Sequence, residues 1–237
     1  MKIILTILMT FSSVCFAQKS KPDDGLHQPF DNLLQKYVRT TGQVDYSGLK
    51  QDENILDKYL NDLSKNVPDN SSGRNVSLAY WINAYNAFTL KLILENYPVK
   101  SINDLYKGKP WDVKWINLGS KKYSLNNIEN DIIRPVHKDA RIHFVLNCAA
   151  VSCPPLLNKA FTANNLEALM ESRTRNFINS TANELGSTKV KISKVFDWYK
   201  KDFGDVITFI NRYSKTKISN NALISYKEYN WNLNKSK

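Results

Sequence analysis

Between Arg141 and Pro155 the sequence runs Arg-Ile-His-Phe-Val-Leu-Asn-Cys-Ala-Ala-Val-Ser-Cys-Pro-Pro, placing one imidazole, His143, close to two thiols, Cys148 and Cys153. A cysteine attacks as its thiolate, so it needs a neighbour to take or share the proton and a third group to orient that neighbour. Cys148 or Cys153 supplies the sulfur and His143 the ring. Glu129 supplies an orienting carboxylate, and Asn147 is an alternative, as an amide is in papain-like sites. This constellation points to thiol-dependent cleavage or transfer at amide or ester bonds. Its rival is structural: a Cys148–Cys153 disulfide, worth about 2 kcal/mol for so small a loop, beside a hydrogen-bonded core histidine.

Other chemistries lack their residues. A zinc clip built from His143, Cys148, Cys153 and His137 would want a second His pair, and four residues separate the cysteines. No Gly-rich phosphate loop, paired zinc-protease histidines or nucleophile-elbow serine occurs. Neither a metal nor a cofactor is expected, and the substrate would be a small molecule or a peptide.

The elements that must position these groups can be read from periodicity. Leu26, Phe30, Leu33, Leu34, Tyr37 and Val38 fall at helical spacing up to Thr41-Gly42, and a second amphipathic stretch covers 52–63. The strongest helix spans 75–96 and is apolar nearly all round, which predicts a central, buried position. On it, Asn83 and Asn86 are expected to hydrogen-bond the backbone of neighbouring segments. Gly119-Ser120 joins a hairpin of 113–118 with 121–125. A short helix follows at 127–134, capped by Ser124 or Asn126 and closed by Pro135.

Arg141–Cys148 reads as a buried strand, which would put His143 and Asn147 on one face and Cys148 on the other. Direct pairing of ring and thiol then requires a break near Asn147, or the return of Cys153 through Ala149-Ala150. Helices at 162–180 and 195–213 and strands at 189–192 and 222–226 complete the reading. Helices outnumber strands in irregular order, the pattern of an α+β fold in which a central helix and further helices pack on a small, mainly antiparallel sheet.

The 237 residues, 42% hydrophobic and 23% charged, fit one globular domain over 26–237 and exclude disordered or collagen-like chains. Lys2, the apolar run 3–16 and Ala17-Gln18 have the layout of a signal peptide cleaved after Ala17, with 18–25 as a polar linker. The mature chain is expected to be exported, periplasmic or secreted, without a transmembrane segment. Net charge is +11, and residues 189–237 hold 11 Lys and Arg against 4 Asp and Glu. That basic region suits an anionic surface or polysaccharide; nucleic acid is not an expected partner of an exported protein. A non-catalytic envelope binding protein is therefore the competing functional class.

The runs Ala79–Ala87, Ile128-Glu129-Asn130, Ile133-Arg134, Arg141–Pro155, Val195–Tyr199, Asp202-Phe203-Gly204 and Tyr226–Leu233 together resemble the DUF547 family, from about Gly42 to Leu233. The family occurs in exported bacterial proteins and in plant proteins with a leucine-zipper segment, and the resemblance brings no settled reaction. It implies a fold akin to papain-like and transglutaminase-like thiol enzymes, and it places interest on Glu129, His143 and Cys148, with Cys153 as rival. Two positions depart from the pattern: Asn130, where a His often follows the Glu, and Asn230, where an Asp often precedes Trp231.

Overall fold

The computed structural model describes residues 25–236; the expected signal peptide and nearly all of the expected linker lie outside the described residues. Helices α1 (Gln28–Tyr37), α2 (Tyr46–Gln51) and α3 (Glu53–Lys65) come first. Phe30, Leu33, Leu34 and Tyr37 of α1, and Leu56, Tyr59, Leu60 and Leu63 of α3, make single apolar stripes. Phe30 and Tyr59 stack across the two helices with ring centroids 5.0 Å apart. Helix α2 has too few residues to show a periodicity; Asp45 starts it by accepting from Gly48 N at 2.8 Å.

Helix α4 (Arg74–Glu95) is the central helix that its all-round apolar sequence requires, with every residue from Leu78 to Leu90 buried. Leu78, Ile82 and Leu92 are wholly inaccessible to solvent. No helix among the described residues is long and apolar enough to cross a membrane. The chain then forms a hairpin, β1 (Ile116–Leu118) and β2 (Lys121–Tyr123), paired antiparallel with Ile116 opposite Tyr123.

Asn127–Ile133 is a wide, π-type helical turn that runs straight into α5 (Arg134–His137). Pro135 therefore does not close the helix: it lies at the junction of the π-type turn and α5, and the helix continues past it. The chain turns instead at Lys138, in left-handed conformation.

The expected strand over 141–148 is a 3-10 turn, Ala140–Phe144, followed by irregular backbone. Asp139 caps this turn by accepting from Arg141 N at 3.0 Å. Short apolar runs are ambiguous between strand and buried turn. Here the cap decides the start, and side-chain amides rather than a neighbouring strand satisfy the backbone beyond it.

After α6 (Leu166–Ile178) come β3 (Glu184–Leu185) and β4 (Lys189–Ile192). The single helix expected over 195–213 is three short ones, α7 (Val195–Trp198), α8 (Lys200–Phe203) and α9 (Val206–Asn211). Gly204 breaks it at φ 66°, ψ −125°, and Asp205 restarts it by accepting from Thr208 N at 2.7 Å. Strand β5 (Leu223–Tyr226) adds parallel to β4, while β3 pairs antiparallel on its other side. The fold is α+β, with small sheets and two hydrophobic clusters. The larger surrounds α4; the smaller gathers Phe144, Phe177, Ile192, Phe196, Phe203 and Ile210.

Candidate active site

The Arg141–Pro155 segment lies where the two clusters meet: Ile142 and Val145 pack into the larger, Phe144 into the smaller. Its path is set by amides. Asn86 Nδ2 donates to Val145 O at 2.9 Å, and Asn86 Oδ1 accepts from Asn147 N at 2.9 Å. Asn83 treats Phe161 likewise, at 2.7 Å to its carbonyl and 3.0 Å from its N–H. Both asparagines of α4 thus serve as the backbone clamps expected of buried amides.

Asn147 closes the turn on itself. Its Nδ2 donates to Pro154 O and its Oδ1 accepts from Ala149 N, each at 2.9 Å. It does not orient His143; that alternative is corrected, because both ends of the amide are committed to backbone. Ala149, between the two cysteines, is held at φ 60°, a conformation that costs a residue with a Cβ about 1 to 2 kcal/mol. The C-terminal segment keeps it there: Asn234 N donates to Ala149 O at 3.0 Å, and Val151 N to Asn232 O at 2.8 Å.

Both thiols are free. Cys148 Sγ lies 3.2 Å from Tyr229 Oη, and Cys153 Sγ accepts from Cys148 N at 2.9 Å. The Cys153 thiol, the Tyr229 hydroxyl and the Ala150 N–H all favour a charged Cys148 sulfur. They hold its pKa below that of an ordinary thiol against the opposing effects of burial and the Glu129 charge. Burial, together with the neighbouring Cys148, pushes the Cys153 thiol the other way. Of the two, Cys148 ionises first.

His143 Nε2 is 2.8 Å from Asp202 Oδ2, and the ring lies flat on Tyr199 with centroids 3.8 Å apart. Arg134 grips the same carboxylate at both oxygens, Nε to Oδ2 at 2.7 Å and Nη2 to Oδ1 at 2.9 Å. Between them, His143 first and Arg134 second, they hold Asp202 well below the usual carboxylate range. Glu129 is buried, and its charge adds to burial in pushing the Tyr199 phenol's pKa up; the imidazole's hydrogen-bond partner is Asp202, not Glu129 as the sequence suggested. Of the two departures, Asn130 Oδ1 receives Arg134 Nη1 at 2.6 Å, and Asn230 Oδ1 accepts from Asn232 N in the C-terminal segment.

One cavity of about 250 Å³ takes Glu129, His143, Cys148 and Cys153 together in its lining. The rest of the wall is largely aromatic, with Trp111, Trp198, Tyr199, Tyr229 and Trp231. Four of the five residues singled out in the sequence therefore converge, and Asn147 supports from behind. His137 lies elsewhere, buried, its pKa lowered by burial and by Arg74. Among the described residues no group of three or more His, Cys, Asp or Glu is arranged to hold a metal ion.

Sequence reasoning missed Asp202, Tyr199 and Tyr229 as site residues. All three lay in runs that carry the family likeness, and a carboxylate 59 residues from its histidine carries no local signal. The hydrogen bonds at Cys148 place the thiol against Tyr229 and Cys153, without a direct bond to His143. No curated protein and no solved structure matches the chain. Residues 68–178, which carry α4, Glu129, His143 and both cavity thiols, match the model of the family described as protein of unknown function, DUF547.

Proposed function

We propose that the protein is an exported thiol-dependent hydrolase or transferase acting on amide or ester bonds, with Cys148 as its nucleophile. The observation that carries the reading is the half-buried Cys148, its sulfur 3.2 Å from the Tyr229 hydroxyl, opening on a cavity shared with Glu129 and His143. In the first step the Cys148 thiolate adds to the carbonyl carbon, a C–S bond forms and the C–N or C–O bond breaks. The leaving nitrogen or oxygen takes the proton that the thiol gave up. His143, oriented by Asp202, and Glu129 are the cavity groups able to carry it between the two. Water or a second nucleophile then adds to the thioester carbonyl and expels the sulfur, which regains its proton.

Iodoacetamide at pH 6 to 7 tests this, because an activated Cys148 is labelled ahead of Cys153. His143→Ala slows the labelling by removing a proton acceptor, and Asp202→Asn slows it less, by loosening the ring. Labelling of Cys153 first would move the nucleophile. A chain with no titratable thiol in denaturing, non-reducing buffer would sink the enzyme reading. The closeness of Cys153 Sγ to Cys148, 2.9 Å from its backbone nitrogen, gives that outcome a structural basis. It would favour the alternative, a disulfide-closed envelope protein whose basic C-terminal region binds an anionic surface or polysaccharide. Export rests on the layout of residues 1–17, and an intact mass starting at Gln18 tests it.

A further inference from the structure

The aromatic part of the cavity wall comes from four separate stretches of chain: Tyr85 on α4, Trp111 before the hairpin, Trp198 and Tyr199 at the end of α7, and Tyr229 with Trp231 near the C-terminus. Trp198 and Trp231 lie nearly parallel, at 24° with centroids 5.7 Å apart, and the other neighbouring pairs are tilted. Trp198 and Tyr229 meet at 54° with centroids 4.7 Å apart, Tyr229 and Trp231 at 50° and 4.5 Å, and Trp111 and Trp231 at 62° and 5.7 Å. These rings line an open cavity of about 250 Å³ rather than filling it. Trp198 keeps 47% of its surface exposed, an expensive way to display the largest apolar side chain unless a ligand covers it.

Charge separates the ligands that such a wall can take. The chain as a whole carries +11, yet the formally charged residues of this cavity are Glu129, Asp112 and Lys109, two anions and one cation. Glu129 is 5% exposed, so its charge acts through little water, whereas Lys109 and Asp112 are both exposed and offset one another. An acidic, aromatic cavity in a basic protein repels an anionic ligand and offers a neutral ring nothing for its carboxylates. An ammonium group satisfies both, resting on ring faces while facing the buried carboxylate.

We infer that this wall is a binding site for a cationic amine, a primary or quaternary ammonium group on the substrate. The Tyr229 hydroxyl that touches Cys148 Sγ belongs to the same wall, so the ammonium and the reacting carbonyl are neighbours in one molecule or in donor and acceptor. The inference rests on the proposed function in taking this cavity for the substrate site, but the binding itself needs no thiol chemistry.

The test is calorimetric titration of the Cys148→Ser chain with choline and with 3,3-dimethylbutan-1-ol, its uncharged isostere. Choline is expected to bind about tenfold more tightly than the isostere. Trp198→Leu, which keeps an apolar side chain but removes the ring face, should weaken choline about fivefold, and Trp198→Phe should restore most of the loss. Glu129→Gln should weaken choline and leave the isostere unchanged. Equal affinity for the two compounds, absence of choline binding, or a Trp198→Leu chain as tight as the parent would overturn the inference. Because binding is read without Cys148, its failure would leave selective iodoacetamide labelling standing, and a failure of labelling would leave the ammonium site standing.

Discussion

Helix α4 and the Asn147–Pro154 turn lie against each other and are held in opposite ways. The helix makes its own backbone hydrogen bonds and is fixed by burying apolar side chains on every face. The turn has no ladder: its backbone is tied by the amides of Asn86 and Asn147 and by the C-terminal segment. A helix tolerates a local fault because its neighbours still pack. The turn keeps Ala149 in left-handed conformation and Cys148 against Tyr229 only while its few directional bonds persist. Stability resides mainly in the first region and reactivity in the second.

The sharpest way to break the contrast is to damage the helix. Trp81 is buried, 5.1 Å between ring centroids from Tyr80 and 5.9 Å from Tyr123. Trp81→Ala leaves a cavity and should cost about 3 to 5 kcal/mol, read as a lower urea midpoint. An unchanged midpoint would show that packing around α4 is not what holds the fold.

The two asparagines of α4 sharpen it. Asn86→Ala strips partners from two buried backbone groups, Val145 O and Asn147 N, at about 2 to 4 kcal/mol. Asn83→Ala does the same to both polar groups of Phe161, at similar cost. Only the first tie leads to Cys148, so Asn86→Ala should also slow iodoacetamide labelling while Asn83→Ala leaves the labelling rate near that of the parent. Equal effects on labelling would mean that the turn is not positioned by Asn86.

How far each region could be read from sequence follows the same division. The apolar periodicity of α1, α3 and α4 is a local property, and the structure places α3 and α4 within a residue or two of their expected limits, whereas α1 stops at Tyr37, short of Thr41-Gly42, because Val38 is extended. The hairpin at Gly119 and strands β4 and β5 were equally legible. Phe144 and its flanking apolar residues look like a strand in any window; that they form a turn depends on Asp139 and on Asn86, which no window contains together. The helix expected over 195–213 failed for a local reason that was visible, since Gly204 followed by Asp205 is a stop and a cap. At the site the nucleophile, ring and carboxylate types were legible, but their partners were not: Asp202 reaches His143 and Tyr229 reaches Cys148 only through the fold.

Gly204 gives a smaller effect. A Cβ there would meet no atom within 4 Å, so any cost of Gly204→Ala is backbone strain at φ 66°, ψ −125°, about 1 to 3 kcal/mol. The substitution should lower the urea midpoint and, by shifting α8, loosen Asp202 from His143. A variant as stable as the parent would show that the break between α8 and α9 can relax.

The smallest expected effect is a change in the shape of the stability curve with pH. Asp202 is held well below the usual carboxylate range by His143 and then Arg134, so the folded chain binds its proton less readily than the unfolded chain does. Its contribution is therefore fully present above the unfolded value of about 4 and is lost progressively as the pH falls below it. Asp202→Asn has no proton to bind and should lower the midpoint at pH 7 while making it fall less steeply between about pH 5 and pH 3. Parallel curves for parent and variant would mean that the Arg134–Asp202–His143 chain adds nothing to stability. If iodoacetamide labelling of Cys148 still slowed in that variant, the chain would serve only to orient the ring.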